Sequence, residues 1–310
     1  MSNTRRAYVY LSLSILIWGA SFIATKQALG QLVPSALIAA RFTMGYLALV
    51  IAGLFLKLPR SSFKREDLPL LLLLTLIEPV IYFLLETWAV QLTVPVNVSL
   101  IIALSPLFTT SIAHAFLKEK PGVWFYPALL VSLGGVLLAL SQGADRLQLS
   151  FGRGELLATL ACLLVSGYVL VVRKLTIKYS SYSITRFQMG FTSFVFLLWI
   201  GLRGLWQPDS IPDPGGWSVL TWGCVAGLGI LSSALAYFCL NFSFSHIPAR
   251  HVAFGANFIP VITLLISAVL PGGSLRLWQV TGIAIAIAGV WIALRTEKRA
   301  RVLEITQPLA

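Results

Sequence analysis

Glu78 and Glu86 stand eight residues apart in a run, 68–92, that carries no other charge, with Tyr82 midway between them. At helical spacing, positions i, i+4 and i+8 fall on one side, so the three form a polar stripe. A carboxyl in that setting suits proton coupling or the holding of a substrate ammonium. The alternative is a protonated acid with a structural role. Lys26, Arg41 and Arg186 also interrupt apolar runs. Ionisable groups inside hydrocarbon cost about 2.5–3.5 kcal/mol on insertion scales, so each of the five requires an explanation.

Lys26, Arg41 and Glu86 share a depth near one boundary of their runs, and an ion pair among them would make each tolerable. Ligand contact is the other reading of Glu86. Arg186 lies near the opposite boundary, where a long basic side chain can snorkel. A gating or structural charge is expected of the three cations before substrate contact. Further polar candidates for substrate binding are Trp18 and Ser21 in the first run, Asn97 at the start of the fourth, Ser166 and Tyr168 in the sixth, and Asn257 beside Pro260 in the ninth. An amide near a proline-freed carbonyl is a feature of interrupted transporter helices. Pro106 and Pro260 are expected to kink their helices at equivalent points.

The elements that must position these groups are apolar throughout. Hydrophobic residues make up 57% of the chain and charged residues 11%, against about 25% charged in a soluble domain. Runs nearly free of charge cover residues 7–29, 34–56, 68–92, 95–117, 123–140, 155–172, 183–205, 217–240, 251–270 and 275–294. Each approaches the roughly 20 residues that a spanning helix requires. Glycine and proline punctuate the intervals, and only Pro95 separates the third run from the fourth. The first run is too long for a signal h-region and is read as a retained helix. The fold expected is therefore all-α, with ten transmembrane helices and little room for a soluble domain.

The net charge of +12 follows the topology rather than a polyanionic partner. With the N-terminus inside, sixteen Lys and Arg fall in inner segments, including Arg5, Lys57, Arg60, Lys118, Arg173, Lys178 and Arg295, against four outside, Arg146, Arg153, Arg203 and Arg276. That bias predicts both termini in the cytoplasm and gives no reason to expect nucleic acid binding. Cys162, Cys224 and Cys239 fall within apolar runs and read as packing residues. No zinc spacing, P-loop, dinucleotide fingerprint or nucleophile elbow is present, so neither catalysis nor a cofactor is expected.

The chain also resembles itself. Arg41-Phe42-x-Met44-Gly45 recurs as Arg186-Phe187-x-Met189-Gly190, and Tyr82-Phe83-x-Leu85 as Tyr237-Phe238-x-Leu240. Pro106 matches Pro260, Gly135-Val136 matches Gly289-Val290, and Gly19 with Lys26 matches Gly167 with Lys174. The matches are collinear across five pairs of runs. Five is odd, so the second unit enters the membrane from the opposite side, giving two inverted five-helix repeats with a site near the midplane. The units are expected at residues 1–141 and 153–295, with a basic cytoplasmic tail at 296–310. The repeat sets Ser233, Tyr237 and Asn241 opposite Glu78, Tyr82 and Glu86, so both stripes are expected to face one cavity. Small residues at Gly134, Gly135, Ala139, Gly282, Ala286 and Gly289 should let helices 5 and 10 approach closely.

On the Ile17-Trp18-Gly19-Ala20-Ser21-Phe22 run, the Arg41-Phe42 pair, Glu78-Pro79, Tyr82-Phe83, Pro106 and Leu117-Lys118-Glu119-Lys120-Pro121, the sequence resembles the EamA-like branch of the drug/metabolite transporter superfamily. The resemblance implies two EamA-type halves around a central cavity lined by helices 1, 3, 4, 6, 8 and 9. It further implies a secondary transporter in the bacterial cytoplasmic membrane that exports amino acids or related metabolites by alternating access. A drug or nucleobase carrier, or a channel or lipid-handling protein, are the alternatives. Protons are the candidate coupling ion. Ten helices suffice for a pore, so a monomer is expected.

Overall fold

The protein is described here from a computed structural model covering residues 2–117, 124–140, 152–206, 214–247, 252, 255–256, 258–270 and 276–306. The described residues are helical or form turns and short connections, with no strand among them. The apolar composition dictates this, because only a helix satisfies all its backbone groups within one segment in lipid.

The first half comprises α1 (Asn3–Ala28), α2 (Pro34–Phe55), α3 (Leu68–Thr75), α4 (Tyr82–Leu92), α5 (Pro95–Ile102), α6 (Ser105–Leu117) and α7 (Phe125–Leu140). The second comprises α8 (Arg153–Lys178), α9 (Ser181–Trp206), α10 (Val219–Ala226), α11 (Tyr237–His246), α12 (Ile259–Val269) and α13 (Leu277–Thr306). Among the described residues, five helical stretches are long and apolar enough to cross a membrane: Asn3–Ala28, Pro34–Phe55, Arg65–Leu92, Ser181–Trp206 and Val219–His246.

The expected fourth run is two helices rather than one kinked helix. Thr93 is extended after α4, Pro95 opens α5, and α5 stops at Ile102. Pro106 is the second residue of α6, and a proline ring collides with the carbonyl four residues earlier, that of Ile102. The Ile102 carbonyl instead faces the Cys162 thiol at 3.7 Å. Pro260 likewise occupies the second position of α12, a helix of 11 residues. α13 runs without interruption from the apolar segment into the basic tail, to Thr306.

The third helix of each half is interrupted at its centre. Leu76–Ile81 joins α3 to α4 as a π-helical turn, and Gly227–Ala236 joins α10 to α11 in the same form. Within the first, Glu78 has extended angles (φ −146°, ψ 119°) and the Glu78–Pro79 peptide is cis. A π-helical turn widens the i→i−4 ladder and commonly coincides with a functional site.

Packing pairs the halves by exchange. α1 packs on α11 and α12, while α8, its repeat counterpart, packs on α4 and on α5 with α6. α2 packs on its own counterpart α9, and α7 on its counterpart α13. Close approach depends on glycine. A Cβ on Gly135 would lie 2.4 Å from the Ala286 nitrogen, and one on Gly282 would lie 2.5 Å from the Ala139 nitrogen. At the crossing of α2 with the second π-helical segment, a Cβ on Gly229 would lie 2.8 Å from the Arg41 carbonyl. Backbone cannot yield as a side chain can. Gly282→Leu should therefore destabilise the protein by about 1–3 kcal/mol or more. Gly134→Ala, inside α7 with nothing within 4 Å of the added atom, should leave stability unchanged or raise it by about 0.5–1 kcal/mol. Thermal unfolding of the detergent-solubilised variants measures the contrast.

Candidate functional site

The two interrupted helices meet at the centre of the molecule. Glu78 is 4% exposed, and its Oε1 accepts a hydrogen bond from the Tyr237 hydroxyl at 2.8 Å. Its Oε2 is buried with no hydrogen-bond partner among the described residues. The interruption also frees the Glu78 carbonyl, which accepts from Gln188 Nε2 of α9 at 3.2 Å. The same nitrogen lies 3.4 Å from the Tyr168 hydroxyl of α8. Asn241 of α11 donates through Nδ2 to Gln188 Oε1 at 3.2 Å and to Thr185 Oγ1 at 2.9 Å. The Asn241 Oδ1 is a second buried acceptor without a partner there. Trp18 of α1 closes another side: its ring meets Tyr237 edge-on at 5.4 Å, and its Nε1 donates to the Ser232 carbonyl at 3.2 Å. Elements of both halves thus gather around the Glu78 break, with Tyr237 bonded to the carboxyl and Gln188 to its backbone carbonyl.

Arg41 of α2 reaches the second π-helical segment next to this site. It is 1% exposed, and its Nε and Nη2 donate to Ser233 Oγ and Ser232 Oγ, each at 3.0 Å. The guanidinium lies 4.4 Å from the Phe83 ring centroid and 5.3 Å from that of Phe42. Weak hydration and a delocalised charge suit arginine to aromatic faces. The expected ion pairing is looser than a contact: Glu86 accepts from Thr87 Oγ1 at 3.3 Å and lies beyond 4 Å from Arg41 and Lys26, while the Arg41 guanidinium still acts on its charge through space. Arg41 has hydroxyl and aromatic partners, while Lys26 has a different one. Lys26 Nζ donates to the carbonyls of Val90, Gln91 and Thr93, at 2.8, 2.9 and 3.0 Å. These are the orphan acceptors at the end of α4, where a cation also opposes the helix dipole.

The structure brings together Trp18, Glu78, Tyr168, Tyr237 and Asn241 from the sequence candidates, with Ser233 next to them on Arg41. Tyr82 and Glu86 are buried on the same element, 8% and 3% exposed. Three candidates lie elsewhere. Asn97 donates to Glu155 Oε1 at 3.1 Å, in a cluster where Glu155 also accepts from Thr93 Oγ1 and the Gly152 nitrogen. Ser166 donates to the Ser105 and Cys162 carbonyls, stitching α8 to the start of α6. Ser21 donates to the Trp18 carbonyl within its own helix. Arg186 lies over the Tyr46 ring at 6.0 Å, on the far side of α9 from Gln188. Asn257 lies outside the described residues, as does the segment holding Glu119.

Gln188 and Thr185 were missed. Gln188 fills the variable position of the repeated Arg-Phe-x-Met-Gly motif, where the first half has Thr43, so a long amide in an apolar run was the available signal. Glu155 was missed because it opens its run rather than interrupting it.

Buried polar groups from two exchanged halves of an apolar helical bundle define a polytopic membrane protein with an internal polar site. The chain belongs to the EamA-like transporter family, whose model matches residues 5–141 and 152–295. The uncharacterized transporter YyaM of Bacillus subtilis (strain 168) is 27% identical over 289 residues, covering 92% of each chain. The uncharacterized transporter YcxC of the same organism is 28% identical over 292 residues, covering 92% of this chain and 91% of its own. A probable terminal-alkyne amino-acid exporter of Streptantibioticus cattleyicolor is 25% identical over 292 residues, with 92% of each covered. A solved crystal structure covers 95% of this chain and 98% of its own, with a TM-score of 0.66 at 20% identity, a likeness of fold. The protein is an integral membrane transporter, with a small-molecule substrate and a lipid environment.

Gln188 serves both the Glu78 carbonyl and Asn241, so Gln188→Leu orphans groups on two helices. A buried group left unsatisfied costs about 1–3 kcal/mol. The variant's melting temperature should fall well below that of Thr185→Val, which deprives Asn241 of one of its two acceptors; equal melting temperatures would separate Gln188 from this role.

Proposed function

We propose that the protein is a secondary transporter that moves a small polar metabolite by alternating access. It exports an amino acid or related compound, with Glu78 as the carboxyl that binds the substrate ammonium or carries the coupling proton. The observation that carries this reading is the state of Glu78: one oxygen on Tyr237, the other without a partner, its own carbonyl released by the helix break. A buried carboxyl with an unused acceptor, at the junction of two halves that must separate, is placed to exchange a protein partner for a ligand. Trp18, Tyr168, Tyr237 and Asn241 would form the surrounding wall.

Two five-helix units of inverted orientation, about 1–141 and 153–295, give ten spans in total and supply the rocking elements. Both termini then lie in the cytoplasm, an orientation supported by the sixteen-to-four charge bias, and the bacterial relatives support a bacterial cytoplasmic membrane. The amino-acid preference is supported by the name of the Streptantibioticus relative and by the chemistry of a carboxyl beside aromatic rings. The paired packing supports a complete translocation unit in one chain. Lys26 and the Glu155 cluster would hold the outer ends of the helices, and Asp67 with Lys178 and Tyr179 the inner ends.

The test is counterflow and proton-gradient-driven transport in proteoliposomes against an amino-acid panel. Wild-type protein should show saturable counterflow, which a channel does not. Glu78→Gln should slow transport by about tenfold or more, equivalent to about 1.4 kcal/mol of barrier, and should abolish its response to an imposed pH gradient. A Glu78→Gln protein with unchanged rate and pH response would remove Glu78 from the mechanism.

A further inference from the structure

A cavity of about 520 Å³ lies away from Glu78, between α2, α9 and the 57–64 connection. Two cations reach it from positions 126 residues apart, Arg60 and Arg186, and no acidic residue lines it. The nearby acids are already engaged: Asp67 with Lys178, and Glu66 with Lys64 and Lys178. Two guanidinium groups, Arg60 exposed and Arg186 half-buried, line one cavity without a carboxylate, a donor set suited to an anion.

The cavity is built rather than incidental. Arg60 is held by a 2.9 Å hydrogen bond from Nη2 to the Gly53 carbonyl at the end of α2. Arg186 contacts the hydroxyls of Tyr46 and Tyr182. Gly190 admits the Tyr46 ring, since a Cβ there would lie 2.9 Å from it, and Gly53 admits the Tyr182 hydroxyl in the same way. The roof is fixed by the Ser61 nitrogen donating to Ser183 Oγ at 2.8 Å and the Ser180 nitrogen donating to Ser61 Oγ at 2.9 Å.

The repeat shows what is unusual here. Arg41 is the counterpart of Arg186, yet Arg41 is sealed between hydroxyls and aromatic rings whereas Arg186 remains half-buried at a cavity wall. An apolar track leads away from that wall. Phe187 and Phe191, stacked with centroids 6.1 Å apart, share a face of α9 with Phe194 and Leu198, which are 61% and 48% exposed. The track descends from the basic end of the bundle along the lipid-facing surface.

We propose that this cavity binds an anionic phospholipid, its phosphate between Arg60 and Arg186 and one acyl chain along Phe187, Phe191, Phe194 and Leu198. A soluble phosphate ester would share the arginines but has no use for the aromatic track.

The test uses purified full-length protein in a neutral detergent. Native mass spectrometry of the unmutated protein should retain phosphatidylglycerol in about tenfold preference to phosphatidylcholine, as charge-assisted pairing requires. Thermal unfolding should rise on titration with phosphatidylglycerol and not with inorganic phosphate or glycerol phosphate at equal concentration. Arg60→Gln with Arg186→Gln should abolish both the preference and the shift. If the double variant does not fold, Arg60→Gln alone should reduce the preference severalfold. Equal retention of the two lipids by the wild type overturns the proposal. Stabilisation by inorganic phosphate equal to that by phosphatidylglycerol overturns it in favour of a soluble anion.

Discussion

A helix interrupted inside hydrocarbon releases backbone groups that water cannot reach, and the rest of this structure is arranged around satisfying them. The Glu78 break is the central case. Its carbonyl requires a donor, and the donor that reaches it, Gln188, comes from the other half of the chain. The amide's remaining capacity orders Tyr168 and Asn241, and Tyr237 is drawn to the carboxyl itself. The site is a consequence of the repair. Without the break there would be no polar centre, and without the polar centre the break could not persist.

The duplicated halves have answered this constraint differently. Both carry a π-helical turn in the third span, and both present Tyr-Phe-x-Leu immediately after it. In the first half the turn contains an acid and a proline. In the second it contains Ser232 and Ser233, whose hydroxyls receive Arg41. One interruption therefore displays a carboxyl and the other supplies hydrogen-bond acceptors to a buried cation. Under the alternating access proposed above, two halves must exchange roles in packing while one carboxyl suffices for the chemistry. The asymmetry between Glu78 and Ser233 reconciles the two requirements.

The sequence made the membrane character and the pairing of halves legible, because composition and a collinear repeat survive without any knowledge of contacts. It also located Glu78, Tyr237 and Asn241, since an ionisable or amide group in an apolar run is conspicuous. It misled where depth stood in for geometry. Lys26, Arg41 and Glu86 share a depth, yet each found a different partner: helix-end carbonyls, serine hydroxyls and a neighbouring threonine. Ser166 and Asn97 are polar residues at plausible positions that serve helix packing and a helix start. The Pro106 ring signalled a kink, and the chain answered with two separate helices, because Ile102 cannot keep both its carbonyl bond and that ring.

The partnership between Glu78 and Tyr237 spans 159 residues of sequence, and that between Arg41 and Ser233 spans 192. During synthesis the first half reaches the membrane well before its partners exist. At about 5–20 residues per second, Glu78 waits on the order of ten to thirty seconds for Tyr237 to emerge. In that interval the first half carries Glu78 and Arg41 without the hydroxyl groups of Tyr237, Ser232 and Ser233 that the second half supplies. Its polar centre is completed only when the second unit inserts, so biogenesis of this protein is a co-assembly of two halves rather than the successive folding of two domains.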